Sequence, residues 1–250
     1  MANYSNTSAI IAGGSRGVGR AVVMALAAQG ARTLAIARDS QALDDLGRSA
    51  SGIETLAADA ADPDTAAKAF SQMVPDLLVI SVGAVPTMAP VQEQSWEQFS
   101  AVWDTDVRAT FNFCRQALLK PMPSGSSVVI ISSGAGTVGG SPLSGGYAGA
   151  KRMQFYLADY CNKASTQLNL GIRFTALLPA QMMGETKIGQ AAASGYAKAQ
   201  GITPQQFLDR FDAPMTPQDV ANAVLRIPHD PEHAETTQFI ITGAGLKAAA

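Results

Sequence analysis

Short runs of apolar residues alternate along the chain with longer segments in which apolar positions recur at helical spacing. The apolar runs lie at residues 8–12, 33–37, 53–57, 76–80, 127–132, 172–178 and 238–242. Between them, segments such as 18–29 and 147–168 show the helical pattern. This alternation predicts βαβ units, and hence an α/β fold with a doubly wound, mostly parallel, seven-stranded sheet covered by helices on both faces.

One segment, residues 181–215, interrupts this alternation. It is too long for an ordinary connection between a strand and a helix, and it carries Met, Tyr and Phe among small residues. Two interpretations are open. The segment is either a lid over a substrate pocket or a pair of short surface helices without a gating role.

Length and charge exclude several classes of protein. The 250 residues suit one domain, spanning 1–250, and the 18 basic and 20 acidic residues give a net charge of −2. No basic run is present, so nucleic acid is not expected as a partner. The chain lacks both a signal-peptide pattern and a stretch of about 18 apolar residues, so we expect a cytoplasmic protein without a membrane span.

The two cysteines, Cys114 and Cys161, lie within apolar helical patterns and do not have the spacing of metal ligands. Buried free thiols are therefore favoured over a disulfide or a metal site. The sequence predicts no metal centre.

A glycine-rich loop directly follows the first apolar run. Gly13, Gly17 and Gly19 have the spacing G-x-x-x-G-x-G, and a helical pattern begins at once. Such glycines allow a tight turn and a close approach of backbone N–H groups to a diphosphate, and the N-terminus of the helix favours the anion. The loop predicts a dinucleotide site.

The same loop also has the G-x-S-x-G pattern of the nucleophile elbow in α/β-hydrolases, with Ser15 as the nucleophile. The two histidines, His229 and His233, follow in the required order. However, a hydrolase elbow follows a central strand that several others precede, whereas this loop follows the first strand. Both histidines also lie in a proline-interrupted polar stretch, so a hydrolase is the less favoured alternative.

The end of the second apolar run indicates which nicotinamide cofactor binds. An NAD site usually offers a carboxylate to the adenosine ribose here, but this chain has Ala37 followed by Arg38. With Arg16 from the glycine loop, Arg38 suits a ribose 2′-phosphate, so NADP(H) is favoured. The adjacent Asp39 keeps NAD(H) possible. Asp59 either accepts a hydrogen bond from the adenine or caps the helix that follows it.

Together these motifs resemble the short-chain dehydrogenase/reductase family over almost the whole chain. The matching segments are 12–19, 59–60, 131–133, 147–151 and 178–180, in the family's order and approximate spacing. The resemblance implies a Rossmann-like fold, an NAD(P)(H) cofactor and reversible hydride transfer between an alcohol and a carbonyl. The expected cofactor-binding residues are Gly13, Ser15, Arg16, Gly17, Val18, Gly19, Arg38, Asp59, Ala60, Gly83, Lys151 and Pro179.

The resemblance also implies the catalytic roles. Ser133 orients the substrate oxygen, Tyr147 exchanges a proton with it, and Lys151 assists Tyr147 and holds the nicotinamide ribose. The chemistry is consistent with these roles, because a phenol with an ordinary pKa of about 10 needs a nearby ammonium to act as a base near neutral pH. Ser132 is the alternative to Ser133, since side chains alternate along a strand.

The chain departs from the family pattern at five places, one of which is a stretch from Ser133 to Tyr147 that is about one residue longer than usual. Ala12 replaces the usual Thr, residues 80–83 replace an Asn-Asn-Ala-Gly sequence, and Ala180 replaces the Gly after Pro179. The fourth catalytic position, normally Asn, aligns with Asp106. A carboxylate there would stabilise the Lys151 ammonium but weaken its influence on the tyrosine, so a standard proton relay is in doubt.

The sequence therefore predicts an NADP(H)-dependent oxidoreductase that interconverts a carbonyl and a secondary alcohol. Met182, Met183 and Tyr196 suggest a moderately apolar small-molecule substrate. The alternative of another class is a catalytically silent dinucleotide-binding sensor of the same fold. The family is commonly dimeric or tetrameric, and the helices around 95–119 and 147–168 are the candidates for contacts in a homodimer or homotetramer.

Overall fold

The computed structural model describes residues 4–137 and 141–249 of the chain. Its eight strands form one sheet in the order β3-β2-β1-β4-β5-β6-β7-β8. The strands are β1 (Ser8–Ala12), β2 (Arg32–Ala37), β3 (Ile53–Ala57), β4 (Leu77–Ile80), β5 (Ser127–Ile131), β6 (Arg173–Pro179), β7 (Gln238–Thr242) and β8 (Gly245–Ala248). The first seven pair in parallel, which confirms the predicted doubly wound α/β architecture.

Nine α-helices connect these strands in the described part of the chain. They are α1 (Gly17–Ala27), α2 (Ser40–Ser49), α3 (Pro63–Gln72), α4 (Trp96–Val102), α5 (Arg108–Leu119), α6 (Gly145–Gln167), α7 (Lys187–Gln200), α8 (Pro204–Leu208) and α9 (Pro217–Arg226). A single π-helical turn, Trp103–Val107, joins α4 to α5.

Two hydrophobic layers cover the sheet because successive strand side chains point to opposite faces. Ile10 belongs to the layer that α3, α5 and α6 cover, and its neighbour Ile11 belongs to the layer that α1, α2 and α9 cover. Cys114 and Cys161 lie on the α5–α6 side as buried free thiols, as predicted. Burial on both faces explains why these strands are almost continuously apolar in the sequence.

The eighth strand corrects the predicted count of seven. β8 pairs antiparallel with β7 across a two-residue turn, with Thr242 opposite Gly245 and Ile241 opposite Leu246. It lies at the edge of the sheet and is largely exposed. Its sequence therefore lacks the continuous apolar run from which the other strands were predicted.

The segment 181–215 contains a 14-residue helix, α7, and a 5-residue helix, α8. Thr186 and Thr203 cap the N-termini of the two helices through their side chains. Both helices contribute side chains to the large cavity described below. The interpretation as a pair of helices is therefore confirmed. Both helices line the cavity, and a gating role for them stays a prediction.

None of the helices in the described part of the chain combines the length and the apolarity that crossing a membrane requires.

Candidate active site

A cavity of about 1040 Å³ lies at the carboxyl ends of the parallel strands. This edge is where open α/β sheets bind their ligands. Of the residues predicted for the site, it is lined by Gly13, Ser15, Arg16, Gly17, Val18, Arg38, Asp59, Ala60, Gly83, Ser133, Tyr147, Lys151 and Pro179. Gly19 and Asp106 are buried behind this lining.

The glycine loop brings β1, the start of α1 and the end of β4 into close contact. Gly13 has a φ of +85°, and a Cβ there would lie 2.5 Å from the carbonyl oxygen of Ser81. A Cβ on Gly19 would overlap the carbonyl of Gly13. Both positions therefore require glycine for packing within the loop, and the cofactor is not needed to explain them.

The first turn of α1 is suited to bind an anion. Arg16 occupies the N-cap position without a side-chain hydrogen bond to the helix, and the first turn contains no acidic residue. The backbone N–H groups of this first turn therefore lack a side-chain acceptor where the loop opens into the cavity. A cofactor diphosphate fits this turn, because the helix dipole and these donors both favour negative charge.

Two arginines, one at this turn and one after β2, line the cavity. Arg16 and Arg38 are both exposed, and Arg38 lies 3.8 Å from the Asp59 carboxylate. Asp39 caps α2 by accepting a hydrogen bond from the backbone N–H of Ala42 at 3.0 Å. This cap uses one of the two carboxylate oxygens, and Asp39 itself lines the cavity.

A capping role for Asp59 at α3 was the alternative to an adenine contact, and the structure does not show it. The cap is Asp62, whose side chain accepts from the N–H of Asp64. The Asp59 carboxylate instead accepts from the N–H of Ala61 at 2.9 Å.

Helix α6 brings Tyr147 and Lys151 to the cavity one turn apart. The Lys151 Nζ lies 5.4 Å from the centre of the Tyr147 ring. Ser133 follows β5 on the same cavity wall, and its Oγ accepts from the N–H of Ala135 at 3.2 Å. This hydrogen bond leaves the hydroxyl proton of Ser133 available for a substrate oxygen.

The neighbouring Ser132 has a different contact. Its hydroxyl is buried and donates to the backbone carbonyl of Lys151 at 2.8 Å. Ser132 therefore fastens α6 to the end of β5, and Ser133 is the serine whose donor remains free for a ligand.

Asp106 and Lys151 form a buried ion pair. The Lys151 Nζ lies 2.9 Å from Asp106 Oδ2, and the two side chains are 3% and 0% exposed. The other carboxylate oxygen, Oδ1, accepts from the N–H of Ala84 at 2.9 Å. Burial acts to lower the pKa of Lys151, but Asp106 and Tyr147 outweigh it and raise that pKa above its ordinary value.

Several residues that hold these groups in place were not predicted from the sequence. Trp103, in the π-helical turn, donates through Nε1 to the carbonyl of Gly146 at 2.9 Å. Thr110 donates to the carbonyl of Asp106 at 2.7 Å, and Gln154 donates to the Thr110 hydroxyl at 2.8 Å. The Thr110 contact is local to the π-helical turn and α5, whereas the Trp103 and Gln154 contacts depend on how α6 meets these elements and carry no signal in the sequence.

The hydrolase alternative is wrong. Ser15 lines the large cavity, which lies at the carboxyl ends of the strands. His229 is exposed and packs edge-on against Tyr4, next to Asp76 and Ser126 at the amino ends of β4 and β5. The side chain of His233 lies outside the described residues. Ser15 and His229 are thus at opposite ends of the sheet and cannot form a catalytic pair.

A doubly wound sheet with a glycine loop and a Ser-Tyr-Lys set along one cavity defines the class of dinucleotide-dependent dehydrogenases. The family model described as short chain dehydrogenase matches residues 7–196. The chain therefore belongs to the short-chain dehydrogenase family, whose members are oxidoreductases acting on CH–OH and C=O groups.

Two curated relatives are similar over most of their length. L-xylulose reductase from Bos taurus is 30% identical over 207 residues, which are 81% of this chain and 82% of that protein. Carbonyl reductase [NADPH] 2 from Sus scrofa is 25% identical over 253 residues, with 98% of each chain covered.

Among solved structures, sorbitol-6-phosphate 2-dehydrogenase from Erwinia amylovora has a TM-score of 0.81 at 22% identity, covering 94% of this chain and 98% of that chain. A short-chain dehydrogenase from Mycobacterium avium has a TM-score of 0.76 at 22% identity, covering 100% of this chain and 86% of that chain. At this identity the likeness establishes the fold alone.

Proposed function

We propose that this protein is an NADP(H)-dependent oxidoreductase that interconverts a carbonyl and a secondary alcohol, with Tyr147 as the general acid and base. The observation that carries the proposal is the meeting of Ser133, Tyr147 and Lys151 on the wall of the cavity that also contains the glycine loop. The activities named for the bovine and pig relatives are of the same kind.

In this mechanism the nicotinamide, when bound, supplies the hydride for reduction or accepts it in oxidation. Ser133 donates its free hydroxyl proton to the substrate oxygen and so orients the carbonyl. Tyr147 gives its phenolic proton to that oxygen during reduction and takes a proton from it during oxidation. Lys151 holds positive charge beside the phenol, which favours the phenolate left after proton transfer.

The preference for NADP(H) rests on Arg16 and Arg38. Both residues line the cavity, Arg16 in the loop after β1 and Arg38 directly after β2. Two permanently charged groups there suit a 2′-phosphate, and the exposed contact between Arg38 and Asp59 is weak enough for a phosphate to displace it. The pig relative is named as an NADPH enzyme, which supports the same choice.

The test is the variant Tyr147→Phe, compared with Tyr160→Phe. Tyr160 is an exposed tyrosine on the same helix and does not line the cavity. We expect Tyr147→Phe to lower kcat for ketone reduction by at least about 100-fold, because the proton donor is lost, while the Kd for NADPH stays within a few-fold. NADPH oxidation gives the rate, and fluorescence titration of NADPH gives the affinity.

Retained turnover in Tyr147→Phe would contradict the role of the tyrosine. A wild-type protein that binds NADPH but reduces no ketone or aldehyde in a broad panel would instead favour the catalytically silent sensor.

A further inference from the structure

The cavity has a second part whose lining does not belong to the predicted cofactor site. This part, here called the substrate chamber, is formed by residues 85–88, 141–144 and 180–183 together with α7, α8 and Phe211. Ser133 and Tyr147 line the same cavity. The composition of the chamber therefore indicates which compounds can reach the proposed catalytic groups, an inference that rests on the proposed function.

In the described part of the chamber, the single charged lining residue is Lys187, the exposed first residue of α7. Among the described residues, the charged lining consists of Arg16, Arg38, Asp39, Asp59, Lys151, Glu185 and Lys187. The first four lie in the cofactor region, and Lys151 is paired with Asp106. Glu185 and Lys187 are exposed, and residues 138–140 carry no charge in the sequence. A carboxylate or phosphate on the substrate would therefore lack a buried cationic partner.

Aromatic rings and methionines form much of the chamber wall. Tyr196 of α7 stacks on Phe207 of α8 with 5.7 Å between ring centres, and Phe211 meets Phe207 edge-on at 6.5 Å. Met88 packs against α7 at Gly195, where a Cβ would lie 2.7 Å from the methionine Cβ. These flat and flexible apolar groups suit an aromatic or apolar body.

Three hydroxyl groups give the chamber one polar edge. The Ser141 hydroxyl is hydrogen-bonded to Tyr196 and, at 2.5 Å, to Ser144. Each hydroxyl has one proton, so two hydrogen bonds among three hydroxyls use two protons and leave a third donor. When the chain of bonds runs from Ser144 toward Tyr196, the remaining proton is that of the Tyr196 phenol. This donor belongs to the same cavity that Tyr147 lines.

We propose that the substrate is an uncharged ketone or aldehyde with an aromatic or apolar body and a second, uncharged oxygen that hydrogen-bonds to Tyr196. Apolar walls exclude ionised compounds through the cost of desolvation. The Tyr196–Ser141 pair distinguishes oxygenated ketones from simple ones through a neutral hydrogen bond. Tyr196 is thus a specificity-determining residue of α7.

Three related compounds test the two parts of this proposal. Methyl phenylglyoxylate is uncharged and has a second oxygen, phenylglyoxylate replaces the ester by a carboxylate, and propiophenone lacks the second oxygen. Each kcat/KM is divided by the rate of reduction of that compound by borohydride, which removes differences in intrinsic reactivity. With NADPH and the wild-type protein, we expect the normalised value for the ester to exceed that for the carboxylate by at least about tenfold.

The variant Tyr196→Phe keeps the stacked ring and removes the hydroxyl. We expect it to lower kcat/KM for methyl phenylglyoxylate by about three- to tenfold, the range of one neutral hydrogen bond, and to leave propiophenone within about twofold. Tyr160→Phe, outside the cavity, is the matched control and leaves both values unchanged.

The outcomes separate this inference from the proposed function. If no carbonyl compound is reduced, the proposed function itself fails. If phenylglyoxylate is reduced as well as its ester, the substrate is not restricted to uncharged compounds, although the reductase activity stands. If Tyr196→Phe affects the ester and propiophenone equally, or neither, the hydroxyl does not select the second oxygen.

Discussion

Among single residues, Asp106 is the clearest departure from the family pattern, because the family usually has an asparagine there and this protein has a carboxylate paired with Lys151. Asp106 uses one oxygen for the N–H of Ala84 and the other for the ammonium of Lys151. An asparagine can accept from the same N–H, but its amide carries no charge to pair with the ammonium. The carboxylate therefore neutralises the positive charge of Lys151, which in the proposed mechanism activates Tyr147.

Replacement of this carboxylate should change how activity depends on pH. In Asp106→Asn the Lys151 ammonium is no longer neutralised, so the phenolate form of Tyr147 becomes easier to reach. We expect the variant to stay active and the rising, acidic limb of alcohol oxidation to move to lower pH, by about one pH unit if the interaction is worth about 1.4 kcal/mol. The measurement is kcat/KM against pH for the wild type and the variant.

Two further variants control this experiment. Asp104→Asn alters an exposed carboxylate of the same π-helical turn, which pairs with Arg108, and should leave the profile unchanged. Asp106→Leu also removes the acceptor for Ala84 and should impair activity. An unmoved limb in Asp106→Asn would show that the carboxylate does not influence the proton transfer.

Arg38 allows the cofactor preference to be tested at a single exposed position. Arg38→Asp removes a cation and places a carboxylate where an NAD site usually has one. We expect the ratio of kcat/KM for NADPH to that for NADH to fall by roughly tenfold or more, since hydrogen bonds to charged groups are worth about 1.5–3 kcal/mol.

Arg48→Asp is the control for this change, because Arg48 is exposed on α2 and pairs with Asp45. A wild-type enzyme that already prefers NADH would contradict the role assigned to Arg38.

At the scale of elements, the proposed catalytic groups are positioned by contacts between helices and a strand end. The π-helical turn 103–107 presents Asp106 toward α6, and Trp103 in the same turn donates to the carbonyl of Gly146. Ser132, at the end of β5, holds the carbonyl of Lys151. These contacts tie the start of α6 to a strand end and to the α4–α5 junction, so Tyr147 and Lys151 are anchored on both sides.

The outer faces of α5 and α6 present large apolar side chains to solvent. Phe111 and Leu119 on α5 are 50% and 62% exposed, and Tyr156 on α6 is 59% exposed. Exposed apolar groups on adjoining helices are typical of an association surface. We therefore expect a homodimer or homotetramer that buries this face, in agreement with the helices predicted for such contacts.

The variant Phe111→Asp tests this expectation. A charge at the centre of an apolar contact should shift the protein toward the monomer, because the carboxylate would be buried without a partner. Sedimentation velocity measures the mass of the assembly for the wild type and the variant. Val74→Asp, at an exposed apolar position after α3, is the control and should keep the assembly. A wild-type protein that is already monomeric would contradict the prediction.

At the scale of the whole molecule, the parallel sheet assembles the site from distant parts of the sequence. The glycine loop follows β1, Asp59 follows β3, Gly83 follows β4, and Ser133 follows β5. Because seven strands run in the same direction, all of these carboxyl ends lie at one edge. The cavity at that edge is therefore a consequence of the topology.

Much of the fold follows from the sequence alone. Strands buried on both faces are continuously apolar, and their alternation with helices specifies a doubly wound sheet. The short exposed strand β8 was missed because no burial constrains its side chains. The glycine loop and the Tyr147–Lys151 spacing could also be predicted, since each is a local requirement of chain geometry or chemistry.

The remaining features depended on tertiary structure. The resemblance already implied that Asp106 acts on Lys151, but the distance and burial of that pair came from the structure. The choice between Ser132 and Ser133 and the contact between Ser141 and Tyr196 also join segments distant in sequence or depend on which way a strand end faces. The periodicity of the sequence predicts which face of a helix or strand a side chain occupies, but it does not predict which group that side chain contacts. That partner is decided by how the elements pack, because packing sets the distances on which hydrogen bonds and charge interactions depend.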